Sequence, residues 1–175
     1  MNQKDFFAKY GAFAQSAAAG SGLSPVLVLS QAFLESGGGE SALTKKYNNF
    51  FGVKADASWT GKKILLSTTE QDKAGKASTV KQYFRVYQNP GQSFADHIKF
   101  LKVNPRYAKA GLFSYPGDYA KQSDTLQKAG YATDVQYAAK LKTIGASFNT
   151  LAKILTSSTA QTVATIIIIG GFFLL

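Results

Sequence analysis

The sequence predicts an α+β fold, mainly helical, with one small β-hairpin and a separate hydrophobic helix at the C-terminus. Three observations carry this. Apolar residues recur at helical spacing through most of the chain. One stretch, KKILLSTTEQDKAGKASTVKQYFRVY at 62–87, is instead rich in Thr, Val, Ile, Tyr and Phe on both sides of the polar DKAGK, the pattern of two strands and a turn. From Ile154 to Leu175 the chain carries no charge, and it ends in VATIIIIGGFFLL.

The elements follow in order. In MNQKDFFAKYGAFAQSAAAG, residues Phe6, Phe7, Tyr10, Phe13, Ala14 and Ala17 recur as on an amphipathic helix. Asp5, Lys9 and Gln15 interrupt any apolar run, so a signal peptide is not expected there. Ser24-Pro25 suits the start of a second helix, with Ser as cap and Pro in the first turn. Val26, Leu27, Val28, Leu29, Phe33 and Leu34 make that helix apolar nearly all round, which places it at the centre, and Gly37, Gly38 and Gly39 stop it. After the hairpin, helices return in PGQSFADHIKFLKV, SYPGDYAKQSDTLQKAG and DVQYAAKLKTIGASFNTLAKIL, with breaks at Asn104-Pro105 and Tyr115-Pro116-Gly117. The expected division is a domain at 1–150 and a hydrophobic anchor at 151–175. At about 1.5 Å per residue the stretch from Thr159 spans roughly 25 Å, a little short of a bilayer's hydrocarbon core. The expected partner of residues 154–175 is therefore a lipid membrane, with Lys153 reaching the headgroups.

Composition narrows the chemistry. There is no cysteine and one histidine, His97, so thiolate metal sites, nucleophilic cysteine and multi-histidine metal sites are excluded, and acid–base work falls most naturally to carboxylates. No metal or cofactor is expected. Net charge is +10, and the segment from Glu40 to Arg85 holds nine Lys/Arg against four Asp/Glu. Such a surface draws the chain toward polyanions, either nucleic acid or an anionic bacterial envelope. No nucleic-acid motif is present, and no nucleic-acid partner is expected.

The chain has three glutamates, Glu35, Glu40 and Glu70. Glu35 ends the apolar second helix. Burial and the negative end of the helix dipole both favour its protonated form, which is what a general acid requires. Glu70 falls in the predicted hairpin. A helical lobe with one glutamate at its edge, facing a β-lobe with another acid, is a layout for cleaving polysaccharide between two carboxylates.

At this point a family comes into view. AFLESGGGESALTKKYNNFFGVK, then TTE at 68–70, NPRY at 104–107 and GYATDVQYAAKL at 130–141 resemble, block by block and in order, the bacterial N-acetylglucosaminidases of glycoside hydrolase family 73. The resemblance runs from about residue 24 to 144. It implies a lysozyme-like fold and hydrolysis of β-1,4 bonds in peptidoglycan on the N-acetylglucosaminyl side. It also implies roles: Glu35 as general acid, Glu70 as the second acid that positions or activates water, and Tyr131 as a cleft tyrosine near the reacting sugar. Asn48, Asn49, Phe51 and Tyr107 match cleft and lobe-closing positions. Simpler readings stand beside these: turn-stabilising asparagines, core packing for one of Phe50 and Phe51, and helix packing for Tyr107. Trp59 is read either as a ring that stacks on sugar or as a staple at the hairpin base. The chain departs from the family pattern at Gly38, where tryptophan is usual, and at Phe50, where leucine is usual.

The expected function is thus a membrane-anchored peptidoglycan hydrolase that opens the wall locally for a virion, with the bacterial envelope as the other location. Two rivals remain: a lytic transglycosylase using Glu35 alone, and a non-catalytic basic module that binds the envelope.

Overall fold

Two helices build the centre of the molecule. In α1 (Gln3–Ala18), Phe6, Tyr10, Ala14 and Ala18 are spaced by four and buried together along one face. In α2 (Pro25–Glu35), Leu27, Val28, Leu29 and Ala32 are each at most 2% exposed, as the apolar run predicted. A computed structural model describes the backbone of residues 1–71 and 77–171, and the side chains of residues 1–68 and 78–154.

One helix start differs from expectation. Pro25 does occupy the first turn of α2, but the Ser24 side chain makes no capping bond. Gln122 serves this loop instead: its Oε1 accepts from the Ser24 N–H at 2.8 Å and its Nε2 donates to the Gly22 carbonyl at 2.7 Å.

The chain then makes α3 (Ala42–Tyr47), β1 (Lys63–Gln71), β2 (Ala77–Arg85), α4 (Pro90–Val103), α5 (Pro105–Lys109), a 3-10 turn (Leu112–Ser114), α6 (Tyr119–Lys128) and α7 (Tyr137–Gly171). The strands pair antiparallel, from Lys63 opposite Arg85 to Gln71 opposite Ala77. The turn expected at 72–76 lies outside the described residues. The helical stretch expected around SYPGD begins at Tyr119, where the Asp118 carboxylate accepts from the Lys121 N–H at 3.0 Å.

Aromatic rings hold the core together. Phe6 lies 4.7 Å from Tyr10, 5.2 Å from Phe33 and 6.4 Å from Phe148, joining α1, α2 and α7. Leu151 packs against the same core from α7. That helix runs unbroken past residue 150, so the expected domain end falls inside a helix. Among the described residues no helix is long and apolar enough to cross a membrane. The side chains of 155–175, which were expected to do so, lie outside them.

The hairpin hangs from the helical lobe by its base. Asn49 Nδ2 donates to the carbonyls of Val53 (3.0 Å) and Arg85 (2.9 Å), while its Oδ1 accepts from the Val53 N–H at 3.0 Å. Asn48 takes the left-handed conformation (φ 53°) and donates from Nδ2 to the Tyr87 carbonyl at 3.1 Å. Asp96 of α4 accepts from Arg85 at 2.8 Å and from the Tyr87 hydroxyl at 2.7 Å.

Candidate active site

Glu35 is the last residue of α2. The chain reverses directly behind it because Gly37, Gly38 and Gly39 all adopt positive φ (58°, 66° and 81°), a run that L side chains resist. At Gly38 a Cβ would stand 2.8 Å from the Met1 carbonyl oxygen. A side chain at this position, where the family pattern has tryptophan, would have to displace the Met1 backbone.

Glu35 opens into a cleft of about 360 Å³ between the helical lobe and the hairpin base. Phe51, Tyr107 and Tyr131 wall it, and Asp56, Arg85 and Arg106 supply charge around its edge. The residue is exposed toward the cleft, but the walls around its carboxyl limit hydration. Burial pushes its pKa above the ordinary 4.5, against the Tyr137 hydroxyl, which donates to Oε1 at 2.8 Å and pulls it down. The open side moderates the upward push. The balance favours the protonated acid at a higher pH than a surface glutamate would allow, which suits donation of a proton to a leaving oxygen.

Behind Glu35 the polar groups continue inward. Gln31 donates from Nε2 to the Tyr137 hydroxyl at 3.1 Å, and Gln31 Oε1 lies 3.1 Å from His97 Nε2. Phe51 stacks on the His97 ring at 3.8 Å with 4° between planes, while Tyr131 meets the same ring edge-on at 6.0 Å. Tyr131 also stacks on Tyr137 at 5.4 Å. Burial, then the charge of Glu35, holds the Tyr131 hydroxyl well above its usual pKa, so it is neutral and able to donate.

The structure thus brings Glu35, Phe51, Tyr107 and Tyr131 to one cleft. Phe50 and Phe51 divide their roles: Phe50 packs between Tyr10 and Phe94 in the core, and Phe51 becomes cleft wall. Asn48 and Asn49 do not line this cleft; their side chains are spent on the backbone at the hairpin base. Trp59 does not line it either. Its Nε1 donates to the Lys62 carbonyl at 3.0 Å and the Arg85 guanidinium lies 4.5 Å over its ring. The Glu70 side chain lies outside the described residues; its backbone pairs with Ser78.

Sequence reasoning gave no site role to Gln31, His97 or Tyr137. A signal existed for Gln31, which stands four residues before Glu35 and so on the same helix face. Among the described residues no group of three or more His, Cys, Asp or Glu could hold a metal ion.

A profile of the glucosaminidase family, described as mannosyl-glycoprotein endo-beta-N-acetylglucosaminidase, matches residues 11–150. The chain belongs to that family. This glucosaminidase domain is 40% identical over 144 residues to the peptidoglycan hydrolase FlgJ of Salmonella typhimurium, covering 80% of this chain and 44% of FlgJ. It is 36% identical over 124 residues to the exo-glucosaminidase LytG of Bacillus subtilis, covering 69% and 42%. The glucosaminidase chain therefore spans less than half the length of these two curated relatives. Among solved structures it resembles the glycoside hydrolase domain of Salmonella typhimurium FlgJ, with a TM-score of 0.74 at 32% identity over 94% of this chain and 99% of that one. It also resembles the catalytic domain of the autolysin Auto from Listeria monocytogenes, with a TM-score of 0.75 at 29% identity over 86% of each chain. The glucosaminidase fold is lysozyme-like, and the domain is a glycoside hydrolase.

Proposed function

We propose that this domain hydrolyses β-1,4 glycosidic bonds of bacterial peptidoglycan on the N-acetylglucosaminyl side. We further propose that residues 154–175 anchor it in a lipid membrane, that of a virion which must open the wall locally. The observation that carries the catalytic reading is Glu35 itself: a carboxyl with a raised pKa, held by Tyr137, at the foot of a cleft walled by aromatic rings. Of these rings Phe51 and Tyr107 are buried (5% and 0% exposed) and Tyr131 is the more open, so Tyr131 is the ring proposed to meet the apolar face of a sugar.

In this reading Glu35 protonates the glycosidic oxygen as the bond to the anomeric carbon breaks. Water adds to that carbon, and a second carboxylate takes the proton the water releases. Glu70 is the residue proposed for that second role. Asp56 also borders the cleft, but its carboxylate is already engaged by the Ser58 hydroxyl at 2.6 Å and by Arg85 at 3.4 Å. The basic chain suits an anionic wall, and peptidoglycan hydrolysis is what the name of FlgJ states for that relative.

A second reading, cleavage by Glu35 alone as in a lytic transglycosylase, is favoured by one observation. Glu70 lies seven residues up β1 from Lys63, about 23 Å from the hairpin base at 3.3 Å per residue. Two variants and one product analysis decide. Glu35→Gln is expected to fold and to lose about 10²-fold or more in rate, and wild-type activity in it would overturn the assignment. Glu70→Gln is expected to cripple turnover and spare substrate binding. Mass spectrometry of digested peptidoglycan is expected to show reducing N-acetylglucosamine ends. Anhydro ends, with Glu70→Gln active, would establish the second reading instead.

A further inference from the structure

We propose that His97, through Gln31 and Tyr137, positions the acid proton of Glu35, so that a residue buried in the helical core sets which carboxyl oxygen is the donor. The proposal rests on Glu35 being the general acid. It concerns three residues that touch no substrate, and it follows from how the four groups share hydrogens.

The chain of bonds has a direction. Gln31 has one acceptor oxygen and one amide nitrogen, and each is within 3.1 Å of a partner: Oε1 of His97 Nε2, and Nε2 of the Tyr137 hydroxyl. With the His97 hydrogen on Nε2, Gln31 Oε1 accepts it. Gln31 Nε2 then donates to the Tyr137 oxygen. The Tyr137 hydrogen is left to point at Glu35 Oε1, 2.8 Å away. Oε1 becomes an acceptor, and the acid's own proton is confined to Oε2. The reverse arrangement places the His97 hydrogen on Nδ1 and turns the Gln31 amide over. Tyr137 would then donate to Gln31, and Glu35 would hold its proton on Oε1, directed inward at Tyr137 and away from a leaving group.

His97 selects between the two. Its Nδ1 is buried with no partner among the described residues. A hydrogen there would be a stranded donor, the rarer and costlier defect in a folded interior. The ring cannot turn to relieve it, since Phe51 is stacked flat on it at 3.8 Å and Tyr131 closes its edge. Nor does the ring charge, because full burial holds its pKa down at about 3. The titratable neighbours do not supply another partner. Tyr131 meets the ring as an aromatic edge, and the groups that face Glu35 besides Tyr137 are Asp56, Arg85, Arg106, Tyr107 and Tyr131 around the cleft and Lys54 beside it.

Two measurements test this. The chain has one histidine, so a 15N spectrum of the full chain reads its tautomer without ambiguity. The Nε2–H neutral form is expected throughout about pH 5 to 8, since the ring's own transition is held down at about 3. The Nδ1–H tautomer, or a cation near pH 6, would overturn the proposal whether or not any variant folds. The second measurement compares pH profiles of kcat/KM in the wild type, His97→Phe, Tyr137→Phe and the double variant. Losing the Tyr137 donor removes a bond that favours the ionised acid, so the basic limb, where Glu35 loses its proton, is expected to move to higher pH. His97→Phe is expected to move it the same way, with kcat down about tenfold, KM unchanged, and no further shift in the double variant. A His97→Phe enzyme that is less stable or slower but whose basic limb stays in place would mean that His97 is only core packing. Failure of the general-acid reading is separate, since it shows in Glu35→Gln and leaves the tautomer untouched.

Discussion

His97 is fully buried and uncharged, with its pKa pushed down to about 3 from an ordinary 6.5. Between those two values the unfolded chain binds a proton that the folded chain refuses. Stability from this residue is therefore complete above pH 6.5 and is lost as pH falls through the window below it, at about 1.4 kcal/mol per pH unit. Urea unfolding of the full chain from pH 7 to pH 4 is expected to show that slope, and His97→Phe to flatten it; an unchanged slope in the variant would place the acid sensitivity elsewhere. Single residues were unevenly legible in the sequence. Glu35 could be read because its surroundings, an apolar helix ending in three glycines, already imply its chemistry. The roles of His97, Gln31 and Tyr137 could not, because each depends on which atoms of α2, α4 and α7 meet in space.

The hairpin was legible as an element, because β-branched and aromatic residues flank a polar turn in a chain otherwise written in helical period. What its base does was not legible. Asn48 and Asn49 share the motif with Phe51, yet they hold backbone while Phe51 lines the cleft. Asn49 is 1% exposed and satisfies three backbone groups at once. Asn49→Ala leaves two carbonyls and one N–H without it, at a cost of about 3 kcal/mol. Calorimetry is expected to show the midpoint lowered by roughly 6–12 °C, and a change of only a degree or two would mean that water replaces the asparagine. Trp59 was ambiguous for a related reason: an indole at a hairpin base satisfies its N–H on Lys62 and carries Arg85 on its face, and residue type alone does not distinguish that from a sugar platform.

At the scale of the whole molecule, net charge and the apolar end set the predictions. If the +10 charge draws the enzyme to an anionic wall, binding to isolated sacculi is expected to weaken as the Debye length shrinks from about 10 Å at 0.1 M salt to about 3 Å at 1 M. Salt-independent binding would remove the electrostatic part alone. The membrane proposal has its own test in liposome flotation. The full chain is expected to float, and a chain truncated after Lys153, which keeps Phe148 and Leu151 on the core, to stay at the bottom. If the full chain also stays down, the anchor and virion proposals fall together. Helix α7 adds a mechanical consequence. Its first residue, Tyr137, grips Glu35, and the same helix continues to Gly171. Its 35 residues make a strut about 52 Å long. Were the far end held, as the anchor proposal requires, a straight helix of that length would act on the cleft as a lever, moving it by about 1 Å for each degree of tilt. If the anchor proposal holds, such an enzyme would work at a fixed height, and its reach would be extended by added helical turns, about 5.4 Å each, where a floppy insert would surrender the aim.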